Sequence, residues 1–393
     1  MFVLPLIAFA EVPNVPQPEL LCRAAAMLDV DTGAVLYEKD PYLAIPPASL
    51  TKLMTLHIVY EKIAKGEVSP RDFVPISTRA WAKNLPPRSS LMFLEPGQKV
   101  TLFELMKGLA LPSGNDAAIA IAEYIAGSVE DFVTLMNEEA QRLGFLDMHF
   151  ADASGLSARN SVNAHEFAEF CRIYVLRHPE AIEDLHSLTE FVFPTTENLP
   201  SYTLGSRQPL VRGNHNDLLG RMEGVNGLKT GYIDESGYNI ALSATRGTMN
   251  LVAVILGGRG SDGQEGALNR AIDSASLLSY GFYAYSTLQP DMETLSSVRV
   301  YRGSSRFLPV SYAEPLVTVK REDARLVKGR FFFPAPIVAP VAKGDVVGHI
   351  IVSAGDEELN RVPVIAEADI SQARGLRRFF DSIALAFKRL FRQ

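Results

Sequence analysis

Residues 227–258 read GLKTGYIDESGYNIALSATRGTMNLVAVILGG. Apolar and polar residues alternate through much of this stretch and β-branched residues recur, which is typical of β-strands. Arg246-Gly247 marks a hairpin turn inside it. Because helical patterns precede and follow this stretch, and a first hairpin precedes those helices, the order predicts an α+β fold. We expect an antiparallel sheet flanked by helices, and not βαβ alternation.

The first hairpin and most of the helices lie on the N-terminal side of that stretch. Residues 24–40, AAAMLDVDTGAVLYEKD, look like a β-hairpin with Asp31-Thr32-Gly33 at its turn. From Ser49 the segment LTKLMTLHIVYEKIAKG keeps helical spacing and stops at Gly66. Further helical patterns continue to about residue 178, and a last one, ALNRAIDSASLLSYGFYAY, ends near residue 285.

The character of the sequence changes after Pro290. Short segments such as SVRVYRG, PLVTVKRE and DVVGHIIVSA are separated by turn residues, which predicts a small all-β module that acts as a spacer or stabilises the protein. A chain of 393 residues is also too long for one ordinary core. We therefore expect a leader over residues 1–20, an α+β domain over 21–288, the β domain over 289–371 and a terminal helix over 372–393.

Both ends of the chain carry apolar patterns. Residues 1–10, MFVLPLIAFA, end in the small-x-small pattern of a cleavage site, and we interpret them as the remnant of a signal peptide; the alternative is a disordered terminus.

Residues 374–393, RGLRRFFDSIALAFKRLFRQ, contain six basic residues and one acid. Their apolar residues share one helical face (Leu376, Phe379, Phe380, Ile383, Phe387, Leu390 and Phe391). This pattern predicts an amphipathic helix that lies on an anionic membrane surface; the alternative is a helix docked on its own domain.

The bulk composition narrows the class of protein. With 47% hydrophobic and 21% charged residues the chain is typical of a soluble globular protein, and its net charge of −7 argues against a nucleic-acid partner. Cys22 and Cys171 are too few for a disulfide framework. We expect two unpaired, partly buried thiols, although a bond between them stays open.

The segment Ser49-Leu50-Thr51-Lys52 carries the first chemical signal. A serine and a lysine three residues apart share one face of a helix, and a desolvated lysine of lowered pKa can act as the base that activates the hydroxyl. At a helix N-terminus Ser49 would also present its own N–H to a developing oxyanion. Such a pair arises by chance as well. Here it follows two prolines, Pro46 and Pro47, which fix an abrupt start of the helix.

Two further triplets are weak signals when each is taken alone. Ser113-Gly114-Asn115 can point two short polar side chains into a cleft, or can be a plain loop with a helix cap. The triplet 229–231, KTG, opens the alternating stretch, where the simplest reading is a charged strand start. Adjacent strand residues face opposite sides, so only a distorted or edge strand would deliver both the lysine and the threonine to one cleft.

Together and in this order, the triplets resemble the S-x-x-K, S-D-N and K-T-G signature of penicillin-binding proteins and class A β-lactamases. The middle triplet is S-G-N here, the form associated with D-alanyl-D-alanine carboxypeptidases. The flanks PPASLTKLMT, LALPSGNDAA, GVNGLKTGY and SGYNIALSATRG match too. Over about residues 22–393 the chain resembles a low-molecular-mass penicillin-binding protein, with a transpeptidase-like catalytic domain, a small β domain and an amphipathic terminal helix.

This resemblance implies a serine-type D-Ala-D-Ala carboxypeptidase that forms an acyl-enzyme with peptidoglycan stem peptides and binds penicillin and other β-lactams covalently. Its nucleophile would be Ser49 and its base Lys52, while Ser113 would relay a proton to the departing amine. The substrate would be held by the remaining motif residues, Asn115, Lys229, Thr230, Gly231 and Tyr232. Among these, Lys229 would supply positive potential, Thr230 would bind the terminal carboxylate, and the backbone N–H groups of Ser49 and Tyr232 would form the oxyanion hole. No cofactor is implied.

The residue that binds the substrate carboxylate is a detail of the site that stays open. The family places an arginine for the substrate carboxylate at the start of the last helix of the catalytic domain; Arg270 fits that place, and Arg259 competes with it. The histidines give no metal signal, because His165-Glu166 lacks a second histidine four residues later. His57 is interpreted as a packed residue of its helix.

Alternative functions share parts of this signature. A DD-endopeptidase or transpeptidase would use the same acyl-enzyme with another acceptor, and the sequence does not separate them. A β-lactamase would need a carboxylate that activates the deacylating water and has no reason to carry a β domain and a membrane helix. A non-catalytic wall-binding protein would have no need of three intact motifs. We expect a secreted enzyme of the periplasm or cell envelope, peripheral on the outer face of the cytoplasmic membrane and engaged in peptidoglycan synthesis and cell shape.

Overall fold

The computed structural model describes residues 15–200 and 208–390, with the side chains of the last helix described to residue 386. The predicted signal-peptide remnant at residues 1–10 and the tail residues Phe391 and Arg392 lie outside these ranges. The described chain divides into two compact units, one at Val15–Tyr283 and one that begins at Ala284.

A five-stranded antiparallel sheet forms the centre of the first unit. Its strands are β1 (Ala24–Asp29), β2 (Val35–Lys39), β7 (Val225–Ile233), β8 (Gly237–Arg246) and β9 (Met249–Gly258), in the spatial order β2-β1-β9-β8-β7. Strand β9, in the middle of this order, reads as a nearly continuous apolar run because it is buried almost throughout. The order places β7, which carries the KTG triplet, at an edge of the sheet.

Six helices accompany this sheet in the chain: α1 (Thr51–Ala64), α2 (Leu102–Ala110), α3 (Asn115–Ala126), α4 (Val129–Arg142), α5 (Ala164–Arg177) and α6 (Gly263–Ala284). Two short strand pairs, β3 (Phe73–Val74) with β4 (Val100–Thr101) and β5 (Glu190–Phe193) with β6 (Leu210–Gly213), lie between them in the chain. Helix α2 begins at a capping box of Thr101 and Glu104, in which each residue satisfies a backbone N–H of the other. The α+β class predicted from the sequence is confirmed.

Helix α1 lies inside the first unit, since residues 51–60 are all buried. Lys52 and His57 are polar members of this run and are both fully buried. Because buried polar groups must find partners, these two side chains mark the places where α1 makes specific contacts.

The second unit is built of strands. They are β10 (Tyr285–Leu288), β11 (Ser297–Tyr301), β12 (Phe307–Ser311), β13 (Val317–Lys320), β14 (Val327–Phe332), β15 (Ile337–Val338), β16 (Val346–Ala354) and β17 (Glu357–Ala366). Six form one sheet in the order β14-β16-β17-β12-β11-β15, and β10 pairs with β13. Its core is rich in valine and isoleucine, among them Val300, Ile350 and Val364. The all-β module expected after Pro290 is therefore present.

The chain's last described element is helix α7 (Leu376–Leu390). Asp381 accepts a hydrogen bond from the N–H of Arg302 at 2.6 Å, and Arg377 donates to the carbonyl of Ser304 at 2.8 Å, so one side of the helix is held by the β domain. Four apolar side chains of the helix stay exposed: Leu376, Phe379, Phe380 and Ile383. Among the described residues, no helix combines the length and the apolar character needed to cross a bilayer.

The two cysteines are both free and buried. Burial raises the pKa of Cys22 to about 12, so this thiol stays protonated at neutral pH. The expectation of two unpaired thiols is confirmed, although both are buried more completely than expected.

Candidate active site

Ser49 lies in a single 3₁₀ turn, Ala48–Leu50, that leads directly into α1. The preceding Ala48 has a left-handed backbone with φ of 51°, which an alanine adopts only when its surroundings impose it. Asn239 on β8 contributes to this, because its side-chain amide donates to the carbonyl of Pro46 at 3.0 Å. The abrupt start of the helix that the two prolines predict is thus tied to the central sheet.

Lys52 is fully buried one turn into the helix and makes three hydrogen bonds from its Nζ. The acceptors are Ser49 Oγ at 2.9 Å, Asn115 Oδ1 at 2.8 Å and the carbonyl of Ser154 at 2.6 Å. Burial lowers the pKa of Lys52 to about 7, against the smaller opposing effect of the Asp152 and Asp116 carboxylates. A large fraction of Lys52 is therefore uncharged at neutral pH, as a base beside a hydroxyl must be.

Asp152, which the sequence analysis did not single out, organises the loop that supplies the Ser154 carbonyl. Its Oδ1 accepts the N–H of Ser154 at 2.7 Å and of Gly155 at 2.5 Å, and its Oδ2 accepts the N–H of Ser157 at 2.6 Å. Burial acts to raise the pKa of Asp152, but these hydrogen bonds outweigh burial and lower it. An ionised carboxylate at this position both shapes the loop and stabilises charge on Lys52.

Two glycines allow the backbone around Ser49 to be approached closely. A Cβ on Gly155, whose φ is 86°, would lie 1.8 Å from the carbonyl oxygen of Ala48. A Cβ on Gly231 of the KTG triplet would lie 3.0 Å from the backbone nitrogen of Ser49. Only glycine fits the first position, and the second shows that the edge strand β7 passes directly beside the proposed nucleophile.

The SGN triplet forms the turn between α2 and α3. Ser113 has a left-handed φ of 61° and is buried, and its Oγ has no hydrogen-bond partner within the part of the chain that is described. Asn115 begins α3 and accepts the hydrogen bond from Lys52 already noted. Asn115 is therefore hydrogen-bonded to Lys52. The Ser113 hydroxyl can still form a hydrogen bond with a bound molecule.

The KTG triplet lies on β7, where Lys229 and Thr230 are both buried. Lys229 donates to the carbonyl of Thr230 at 3.0 Å. Burial, followed by the charges of Lys52 and Arg270, lowers the pKa of Lys229. Next to the triplet, Tyr232 is half exposed, and its hydroxyl donates to Asp234 at 2.8 Å, so only its backbone remains a candidate for the oxyanion hole.

The two arginines proposed for carboxylate recognition lie in different environments. Arg270 on α6 is 8% exposed and donates to Asp217 Oδ2 at 3.1 Å and to the carbonyl of His215 at 3.3 Å. Its charge acts on Lys229, whereas Arg259 is exposed in the loop before α6. Of the two arginines, Arg270 is the one whose charge acts on Lys229, which favours it for carboxylate recognition.

The described residues also include one group that the sequence did not indicate as a metal site. His57, Glu61 and His178 place three potential ligand atoms within 4.8 Å of one another. Since His57 and His178 are 121 residues apart, no local spacing could have revealed it. The hydrogen bond of Ser49 Oγ is made with Lys52 and involves none of these three residues.

Comparisons with known proteins agree with this geometry. The family model described as D-alanyl-D-alanine carboxypeptidase matches residues 11–260, and that of the penicillin-binding protein 5 C-terminal domain matches residues 283–372. D-alanyl-D-alanine carboxypeptidase DacF of Bacillus subtilis is 33% identical over 356 residues, which cover 89% of this chain and 86% of the relative.

Solved structures show the same fold. Penicillin-binding protein 5 from Haemophilus influenzae is similar with a TM-score of 0.79 at 28% identity, covering 91% of this chain and 100% of that one. Penicillin-binding protein D2 from Listeria monocytogenes, in its cefotaxime-bound form, is similar with a TM-score of 0.57 at 27% identity and covers 68% of this chain and 100% of that one. With both family models matched, Ser49 and Asn115 hydrogen-bonded to one buried lysine and the KTG triplet beside Ser49, this chain belongs to the D-alanyl-D-alanine carboxypeptidase family and is a low-molecular-mass penicillin-binding protein.

Proposed function

We propose that the chain removes the terminal D-alanine from peptidoglycan stem peptides through an acyl-enzyme on Ser49. The observation that carries this proposal is the 2.9 Å hydrogen bond between Ser49 Oγ and the Nζ of Lys52, a lysine whose pKa burial lowers to about 7. Uncharged Lys52 takes the hydroxyl proton as Ser49 attacks the carbonyl of the penultimate residue. The C–N bond breaks, free D-alanine leaves, and water then hydrolyses the Ser49 ester.

Ser113 and Asn115 act on the two sides of that bond. The departing nitrogen needs a proton, and the unpartnered hydroxyl of Ser113 is suited to pass one to it. Asn115 holds Lys52 through its Oδ1, which leaves its side-chain N–H₂ group for the carbonyl of the substrate peptide. Both roles use polar atoms that the protein itself does not fully satisfy.

The substrate's terminal carboxylate is the feature that separates a carboxypeptidase from a general peptidase. On β7 Thr230 offers a hydroxyl and Lys229 an amine, and behind them Arg270 adds a guanidinium that is always charged. Burial, followed by the charges of Lys52 and Arg270, lowers the pKa of Lys229, so a positive charge on this amine is costly without a counter-charge. An incoming carboxylate would supply that counter-charge, so the site favours an anionic peptide end.

The same nucleophile accounts for β-lactam binding. A β-lactam carries a carboxylate next to a strained amide, and Ser49 would open the ring to give an ester that remains attached. The Listeria relative that holds cefotaxime, a β-lactam, shares its fold with 68% of this chain. Penicillin is therefore expected to label the chain at Ser49.

The terminal helix α7 supports a second proposal, that the protein is secreted and lies on the outer face of the cytoplasmic membrane. Asp381 and Arg377 hold the helix to the β domain, while Leu376, Phe379 and Phe380 are each more than half exposed. An exposed apolar face on a cationic helix is favourable in the interface of an anionic bilayer. The alternative of a helix whose apolar face is buried in its own domain does not fit these exposures.

The first prediction concerns the nucleophile. Replacing Ser49→Ala should abolish covalent labelling by a fluorescent penicillin and lower release of D-alanine from a pentapeptide by at least about a thousandfold, because it removes the hydroxyl that is hydrogen-bonded to Lys52. Mass spectrometry of the labelled wild type should place the adduct on the peptide that contains Ser49. Ser305→Ala in the β domain is the matched control and should label normally; labelling that persists in Ser49→Ala would show that the nucleophile is another residue.

The second prediction concerns pH. Since Lys52 must be uncharged to accept the proton, acylation should fall about tenfold per pH unit below a pKa near 7 and level off above it. Lys52→Arg keeps a positive charge but cannot lose its proton at these pH values, so it should remain inactive across the whole range. The rate constant of acylation, measured from pH 5 to 9, checks both; a wild-type profile that is flat through pH 7 contradicts the role of Lys52 as base.

The third prediction concerns Asp152. In Asp152→Asn the negative charge that raises the pKa of Lys52 is lost, so the acid limb of the acylation profile should move to lower pH. The acylation rate at its plateau should fall, because an amide nitrogen would face the N–H of Ser157 and release the loop from Ser154 to Ser157. Asp147→Asn, an exposed aspartate of the same region, is the control. An unchanged acid limb in Asp152→Asn means that Asp152 does not tune Lys52.

The fourth prediction concerns the anchor. Deletion of residues 374–393 should move the protein from the membrane fraction to the soluble fraction without loss of hydrolysis of a soluble peptide. The double variant Phe379→Gln/Phe380→Gln should weaken binding to anionic vesicles while it keeps the contacts of Asp381 and Arg377 with the β domain. A truncated protein that still sediments with membranes contradicts the anchor.

A further inference from the structure

A buried cluster of two histidines and two glutamates links three helices. His57 and Glu61 lie four residues apart on α1, Glu139 lies on α4, and His178 caps the C-terminus of α5. His57 is fully buried and His178 is 3% exposed. The cluster forms hydrogen bonds with no residue of the proposed catalytic centre in the contacts described for it, and the proposed reaction does not use it.

The two imidazole rings point nitrogen atoms at each other. His57 Nδ1 and His178 Nε2 are 2.9 Å apart, and Glu61 Oε1 lies 3.9 Å from the same His178 nitrogen. Two lone pairs at 2.9 Å would repel, so an electrophile must lie between these nitrogens. It is either a proton, which gives a hydrogen bond, or a metal cation.

The second carboxylate orients His57 toward this shared position. Glu139 Oε1 lies 2.8 Å from His57 Nε2. With Nε2–H donated to the carboxylate, the neutral ring presents the Nδ1 lone pair toward His178. This is the arrangement of metal-binding histidines, whose second ring nitrogen commonly donates to a carboxylate that fixes the tautomer.

The donor set selects a class of cation. Imidazole nitrogen together with carboxylate suits Zn²⁺ and similar transition metals, while Ca²⁺ and Mg²⁺ prefer oxygen alone. Two ligand atoms on a tetrahedral zinc ion lie about 3.3 Å apart, because each Zn–N bond is about 2.0–2.1 Å. The separations of 2.9 and 3.9 Å from His178 Nε2 lie on either side of this value, and all three ligand atoms lie within 4.8 Å of one another, so side-chain movements would bring them to bonding distance.

We propose that His57 Nδ1, His178 Nε2 and the carboxylate of Glu61 form a binding site for a divalent transition metal of the zinc class, which fastens α1 to the end of α5. Helix α1 carries Lys52 in its first turn, so a cation here would stabilise the helix on which the reaction depends. The role is structural: the three ligands are largely buried, and the site lies beyond Lys52 along the helix.

Two arginines oppose the cation and offer a way to test the idea. Arg177 Nη1 lies 3.5 Å from Glu61 Oε1, and Arg142 Nη2 lies 2.6 Å from Glu139 Oε1. Both guanidinium groups are substantially exposed, at 41% and 52% of the side chain, so solvent screens their effect. Because Arg177 competes with the metal for Glu61, removing it should tighten metal binding.

The experiment is a calorimetric titration of the metal-free, full-length protein with Zn²⁺, repeated by visible absorption with Co²⁺. One equivalent should bind to the wild type, with the absorption bands of tetrahedral Co²⁺ and a rise in the unfolding temperature. Glu61→Gln and His178→Gln should each weaken binding by more than about tenfold, and Glu139→Gln by about 10- to 100-fold. Arg177→Gln should bind more tightly than the wild type.

A surface histidine supplies the control. His165→Gln removes an imidazole that also pairs with a glutamate, Glu38, and should leave the one-equivalent binding unchanged. The proposal is overturned if the wild type binds no metal, since the two rings then share only a proton. It is equally overturned if His178→Gln binds as tightly as the wild type, or if binding is lost in His165→Gln. Thermal unfolding without metal identifies any variant that merely fails to fold.

Discussion

The burial of one ammonium group, that of Lys52, is the constraint on which the rest of the first unit depends. A lysine removed from water loses much of its affinity for a proton, and three acceptors, Ser49 Oγ, Asn115 Oδ1 and the Ser154 carbonyl, replace the water it has left. Each acceptor comes from a different part of the chain. The same burial that makes Lys52 a base therefore also joins these segments, because leaving any of its N–H groups unsatisfied would be costly.

The central sheet supplies the rigid part of this arrangement. Its edge strand β7 passes beside Ser49 at Gly231, and Asn239 on the neighbouring β8 holds the carbonyl of Pro46. An edge strand has unpaired backbone groups on one side, which most proteins must protect and which an enzyme can offer to an extended peptide. The edge strand β7 carries Lys229 and Thr230, whose side chains are suited to a carboxylate.

Charge is distributed unevenly along the chain. The tail from residue 374 carries six basic residues and one acid in a chain of net charge −7, so the remainder is strongly acidic. An acidic body is repelled by an anionic lipid surface, whereas the cationic helix is attracted to it.

The sequence by itself determined the fold class, the three motifs and the terminal amphipathic pattern, because each is a local matter of spacing or periodicity. Ser49 and Lys52 could be paired from their separation of three residues alone. The tertiary structure alone decided which distant groups act on them. Asp152 tunes Lys52 through a loop about one hundred residues further along the chain, Arg270 and not Arg259 lies near Lys229, and His57 meets His178. Electrostatic effects depend on the distance between two groups in space and on how deeply they are buried. Neither quantity can be read from the spacing of residues along the chain.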